Sequence, residues 1–191
     1  MNEIETRPQL KNAAERRSFA FAELELRSNG ENRLPTIRGY AAVFNSLSED
    51  LGRYREVVLP GAFSRSLDRR DDTICTWNHN PSELLGRIRS GTLQLWEDEK
   101  GLRFVVQPPD TTAARNVIAL MRRGDVRGAS FGFVVDGPNG QRWTHRGESR
   151  LRQLVTVRLI DVSVVTTPAY PDAESSLRHK RTLLDGLHAS R

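Results

Sequence analysis

Apolar and polar residues alternate with period two along most of this chain, and helical spacing is confined to three stretches. Phe19 to Leu26 (Phe-Ala-Phe-Ala-Glu-Leu-Glu-Leu) alternates as a first strand. A turn at Asn29-Gly30-Glu31-Asn32 leads to a second strand over Thr36 to Phe44, and a short one over Arg55 to Leu59 stops at Pro60-Gly61. Ala62 to Arg69 reads as a short helix with Phe63 and Leu67 one turn apart on one face. Thr73 to Asn78 is a strand delivering His79 at its end. Leu85 to Arg89, Thr92 to Glu97 and Leu102 to Gln107 form a meander that Pro108-Pro109 ends. Asp110 or Thr111 caps a helix to Arg123, where Val117, Leu120 and Met121 keep helical spacing and Gly124 closes it. Ser130 to Val135 is a strand, followed by a turn at Asp136-Gly137-Pro138-Asn139-Gly140. Arg150 to Thr166 is the longest strand signal, and residues 172–187 read as a terminal charged helix.

The pattern contains no βαβ alternation and no internal repeat. It predicts an α+β fold, mainly β, built as a small antiparallel β-barrel with helices packed outside. A chain of 191 residues fits one domain, and we expect it over 18–173, with a polar arm at 1–17 and a charged helix or tail at 174–191. No apolar run approaches the ~20 residues that span a bilayer. Met1 to Arg17 lacks the apolar core of a signal peptide, so no membrane role is expected. The single cysteine, Cys75, excludes an internal disulfide and suits the reducing cytoplasm.

The formal net charge of +5 comes almost wholly from arginine. Those arginines are scattered through every element, each near an acidic residue or a turn. This favours a solvated surface over a nucleic-acid-binding face.

Three polar residues stand out against the apolar pattern. In Ser130-Phe131-Gly132-Phe133-Val134-Val135, alternation puts the aromatic residues on one face and Ser130, Gly132 and Val134 on the other. Ser130 thus points off the aromatic core, beside a glycine that leaves room for an approaching substrate. A serine becomes a nucleophile when a base takes its proton, and histidine suits that task at neutral pH. His79 sits in Asn78-His79-Asn80-Pro81, where the proline restricts Asn80 to extended backbone and fixes the exit of the strand. Asp161 falls on a face otherwise carrying Val155, Val157, Leu159, Ser163 and Val165, and a carboxylate there needs a histidine or arginine partner.

No Cys/His cluster has metal-ligand spacing and no phosphate-binding loop is present, so neither metal nor cofactor is expected. Gly128-Ala129-Ser130-Phe131-Gly132 matches the letters of a hydrolase nucleophile elbow but leads into a strand instead of a helix.

A colinear set of motifs then points to a family. Ile37-Arg38-Gly39-Tyr40-Ala41-Ala42-Val43-Phe44-Asn45, Glu56 to Phe63, Trp77-Asn78-His79-Asn80-Pro81, Leu85-Gly86-Arg87, Ser130-Phe131-Gly132-Phe133 and Asp161 to Ala169 together resemble the tailed-phage prohead proteases. The resemblance implies a serine endopeptidase related in fold to the herpesvirus capsid-maturation proteases. It places Ser130 on the family nucleophile, His79 on the general base and Asp161 on the third position, with His145 the alternative by analogy with the herpesvirus third histidine. It leaves the oxyanion donors open between the Gly128-Ala129 turn and the Arg158 region.

The implied partners are the major capsid protein with its scaffolding segment, the portal as a further candidate, and the protease itself, through autoproteolysis and homo-oligomerisation. The implied place is the bacterial host cytoplasm, inside the immature capsid of a phage or prophage. The alternative reading is a non-catalytic capsid-assembly or scaffolding module that keeps the protease-like barrel.

Overall fold

The computed structural model describes residues 13–166, apart from 20–22, 29, 31–32, 53 and 147–148. Twelve strands and two helices lie among the described residues. The strands are β1 (Glu15–Phe19), β2 (Glu25–Arg27), β3 (Thr36–Val43), β4 (Arg55–Val58), β5 (Ile74–Trp77), β6 (Asn80–Arg87), β7 (Leu93–Glu97), β8 (Gly101–Val106), β9 (Gly128–Val135), β10 (Gln141–Arg146), β11 (Ser149–Leu154) and β12 (Val157–Val165). The helices are α1 (Ser64–Asp68) and α2 (Thr112–Arg123). The mainly-β, α+β class predicted from the alternation is the class observed.

Hydrogen bonding divides the strands into three sheets, with orders β1-β9-β12-β5-β6, β10-β11-β4 and β2-β3-β8-β7. Among the described residues these sheets do not close into the expected barrel. Two pairings, β12 with β5 and β11 with β4, are parallel, because the long intervening chain carries each crossover.

The alternation over Phe19 to Leu26 is not one strand. β1 pairs with β9 and β2 with β3, so this segment serves two sheets. Because β1 starts at Glu15, the last residues of the expected arm are already paired. The long signal over Arg150 to Thr166 also divides. Val155 and Thr156 both donate to the Gly140 carbonyl, which turns the backbone between β11 and β12. β10 has little apolar alternation to announce it and forms by pairing with β11. The expected terminal helix lies outside the described residues.

The interior is organised around β9. Phe131 and Phe133 are fully buried with ring centroids 5.0 Å apart, and Phe63 meets Phe131 edge-on at 5.1 Å. Each such ring contributes roughly 1.5–3 kcal/mol by leaving water, which fixes β9 as a central strand. α2 is bounded as predicted: the Thr111 side chain accepts from the Ala114 N–H, and Gly124 adopts φ 82° at the C-cap. α1 is shorter than predicted, and Glu97 takes its first donors, from the Phe63 N–H and the Ser64 hydroxyl.

One irregularity in β12 decides which side chains meet at the site. Leu159 pairs with Phe133 but Asp161 pairs with Gly132, leaving Ile160 as an extra residue in a β-bulge. Antiparallel partners share a face. Val157 and Leu159 therefore join the Phe131 and Phe133 face, while Asp161 and Ser163 join the Ser130 and Gly132 face. The sequence-based expectation that all of these β12 residues share one face is corrected by the bulge.

Candidate active site

His79 is delivered by a hairpin. Trp77 pairs with Asn80, so Asn78 and His79 form a two-residue turn between β5 and β6. Both have positive φ, 50° and 58°. Such turns favour glycine or asparagine because L side chains crowd the left-handed region. A histidine there persists only when its surroundings hold it. The Asn78 N–H donates to the Val164 carbonyl at 3.0 Å, the Asn78 side-chain oxygen accepts from the Thr166 N–H at 3.1 Å, and the His79 N–H donates to Ser163 Oγ at 3.2 Å. The expected strand exit fixed by Pro81 is corrected accordingly: Asn80 and Pro81 begin β6, an edge strand where a proline is tolerated.

The three residues singled out in the sequence come together. His79 Nε2 lies 2.6 Å from Ser130 Oγ, and His79 Nδ1 lies 2.5 Å from Asp161 Oδ1. Ser130 is fully buried and Asp161 is 7% exposed. A neutral imidazole that donates its Nδ1–H to Asp161 turns the Nε2 lone pair toward the Ser130 hydroxyl. This arrangement can pull a proton from the serine and stabilise the resulting imidazolium. Gly132 does not provide substrate space as expected, because the Asp161 carboxylate fills the volume beside it.

Sequence reasoning missed Ser163 and Thr76. Ser163 Oγ donates to Asp161 Oδ1 at 3.0 Å, accepts from the His79 N–H, and lies 2.6 Å from Thr76 Oγ1. One hydroxyl therefore ties the carboxylate, the histidine backbone and β5 together. The signal was the spacing of two between Asp161 and Ser163 at the close of β12. The parallel register that sets Ser163 opposite Thr76 had no such signal.

Other candidates lie elsewhere. His145 is exposed on β10, opposite Arg150, in a different sheet. Arg158 pairs with Val134, four residues along β9 from Ser130, which is roughly 13 Å at strand spacing, and Gly128 and Ala129 are part of β9 instead of a turn. Cys75 is buried; burial pushes its thiol far above the usual range and the Asp161 charge adds to this, so it stays protonated at neutral pH. Among the described residues no group of three acidic, histidine or cysteine side chains is arranged to hold a metal ion, and no helix is long and apolar enough to cross a membrane.

The family described as caudovirus prohead serine protease matches residues 22–184. The prohead protease of Enterobacteria phage HK97 is 34% identical over 122 residues, covering 62% of this chain and 51% of that protein. The chain thus spans about half the length of that relative. The structure of the bacteriophage T4 capsid assembly protease aligns with a TM-score of 0.53 at 10% identity, over 83% of this chain and 99% of that one. At that identity the likeness is one of fold.

Proposed function

The chain belongs to the caudovirus prohead serine protease family, and from that premise we propose that it is a capsid-maturation endopeptidase with Ser130 as nucleophile, His79 as general base and Asp161 as orienting acid. The observation that carries this reading is the alignment of Ser130 Oγ, 2.6 Å from His79 Nε2, with Asp161 Oδ1, 2.5 Å from His79 Nδ1. In the reaction, His79 Nε2 takes the hydroxyl proton as Oγ bonds to a scissile carbonyl carbon. The same proton passes to the departing amine, and a water then releases the acyl group by the reverse path. Asp161 holds the tautomer and stabilises the imidazolium. In this reading Asp161, and not His145, is the third member of the triad.

The substrate in this reading is the scaffolding segment of the major capsid protein, cut inside the immature capsid in the host cytoplasm, with the protease itself as a second substrate. Capsid cleavage can be followed by co-expressing the capsid protein with wild-type chain or Asp161→Asn. Asp161→Asn is expected to fold and to cleave about 10⁴-fold more slowly, because the amide favours the wrong imidazole tautomer. Cleavage within a few-fold of wild type would remove Asp161 from the triad.

A second reading, an assembly module that cuts nothing, draws on the complete burial of Ser130. A nucleophile sealed from its substrate is inert unless what covers it can leave.

A further inference from the structure

The cover over Ser130 is the chain's own first strand. β1 lies antiparallel on β9, with Arg17 opposite Phe131 and Ser18 opposite Ser130. Main-chain pairing of this kind is how an extended peptide adds to a sheet edge. The Arg17 carbonyl oxygen accepts a hydrogen bond from Ser130 Oγ at 2.9 Å. The hydroxyl has a single proton. Donated to Arg17, it is not donated to His79, 2.6 Å away.

The side chain of the same residue is held as firmly. Arg17 Nε and Nη2 donate to the two oxygens of Glu56 at 2.7 and 3.0 Å, and its guanidinium lies 5.5 Å from the Phe133 ring centroid. Glu56 is fully buried, with Arg152 donating to it at 3.1 Å. Arg17 also meets Glu15, whose carboxylate takes two bonds from Arg152. A buried carboxylate is costly without cationic partners. A cation in the place of Arg17 is therefore favoured over an apolar or acidic side chain.

We propose that the β9 edge and Glu56 form the substrate site of this protease, that it takes an extended peptide with a basic side chain on the residue whose carbonyl meets Ser130, and that β1 occupies it in cis. The proposal rests on the reading of Ser130 as the nucleophile. When β1 lifts away, a peptide can pair with β9 in its place. Ser130 Oγ then bonds to the carbonyl carbon of the basic residue, the C–N bond to the next residue breaks, His79 carries the hydroxyl proton to the departing nitrogen, and one water frees the new carboxylate.

The test uses the full chain and four peptides that differ only in one central residue: arginine, lysine, leucine or glutamate. Binding is read by fluorescence anisotropy on Ser130→Ala with and without Arg17→Ala, and cleavage by mass spectrometry on Arg17→Ala alone. The double variant is expected to bind the arginine peptide at least tenfold more tightly than the leucine or glutamate peptide. Ser130→Ala with β1 intact should bind the arginine peptide at least tenfold more weakly than the double variant. Adding Glu56→Gln should erase the preference, and Arg17→Ala should cut after the basic residue.

Arg17→Lys keeps the cation and should stay closed like wild type; thermal unfolding of each variant separates a folding defect from an opened site. Equal binding of all four peptides, or equal binding with and without Arg17→Ala, overturns the proposal. Cleavage without residue preference overturns the basic-residue site and leaves Ser130 as nucleophile. Arginine-selective binding with no peptide cut overturns the Ser130 reading itself.

Discussion

The Asp161 carboxylate occupies the space that any side chain at Gly132 would need: a Cβ built on Gly132 falls 2.3 Å from Asp161 Oδ2. That carboxylate cannot swing aside without losing His79 and Ser163, both bonded to its other oxygen. Gly132→Ala is therefore expected to displace Asp161 and tilt the imidazole while leaving the aromatic face of β9 intact. A misplacement on the order of 1 Å costs about 10²-fold in rate. Capsid cleavage rates for wild type and Gly132→Ala, measured beside their melting curves, check this. A folded Gly132→Ala protein with wild-type activity would show that Asp161 has no orienting role.

In the proposed reaction Ser163 acts only through its neighbours. Its removal takes a donor from Asp161 and an acceptor from the His79 N–H, which holds a turn with two positive φ values. Stripping a partner from such buried groups costs about 1–3 kcal/mol. Ser163→Ala is expected to melt lower than wild type and to lose roughly tenfold in kcat with KM unchanged, since Ser163 meets no substrate. A shifted KM at full kcat would contradict this positioning role. Ser163→Thr, which restores the hydroxyl, should recover much of the loss.

How far the site could be read in advance follows from the same elements. Ser130 and Asp161 were legible because each is a polar residue in an apolar period-two run, and His79 because it closes a strand. The motif order tied the three together. Their mutual geometry depends on the bulge at Ile160, which alternation cannot register because it breaks the period by one residue. The left-handed pair Asn78-His79 was equally hidden, since a two-residue turn of this type is normally announced by glycine. The division of Phe19–Leu26 between two sheets is a tertiary choice. β1 is recruited by β9 through backbone pairing and the Arg17–Glu56 contact across 39 positions of sequence, and nothing local encodes that.

Glu15 gives the β1 anchorage a pH dependence. Burial pushes its carboxyl up, but the hydrogen bonds and charge of Arg152, joined by Arg17, outweigh this and hold it below the usual carboxylate range. A depressed carboxylate stabilises the fold fully above its unfolded value of about 4.3 and loses that contribution as pH falls through the folded one. Wild type is thus expected to melt a few degrees above Glu15→Gln at neutral pH, with the gap closing below about pH 4. Melting temperatures across an acid series test the sign. A gap that is constant, or that widens in acid, would contradict the ion-pair account.

The most direct test of the account is the intact mass of the major capsid protein co-expressed with this chain, wild type against Ser130→Ala. The substitution removes one oxygen from a buried hydroxyl and leaves the aromatic packing of β9 untouched, so both proteins should fold alike. A shortened capsid protein is expected with wild type and a full-length one with Ser130→Ala. A capsid protein shortened equally by both would contradict it.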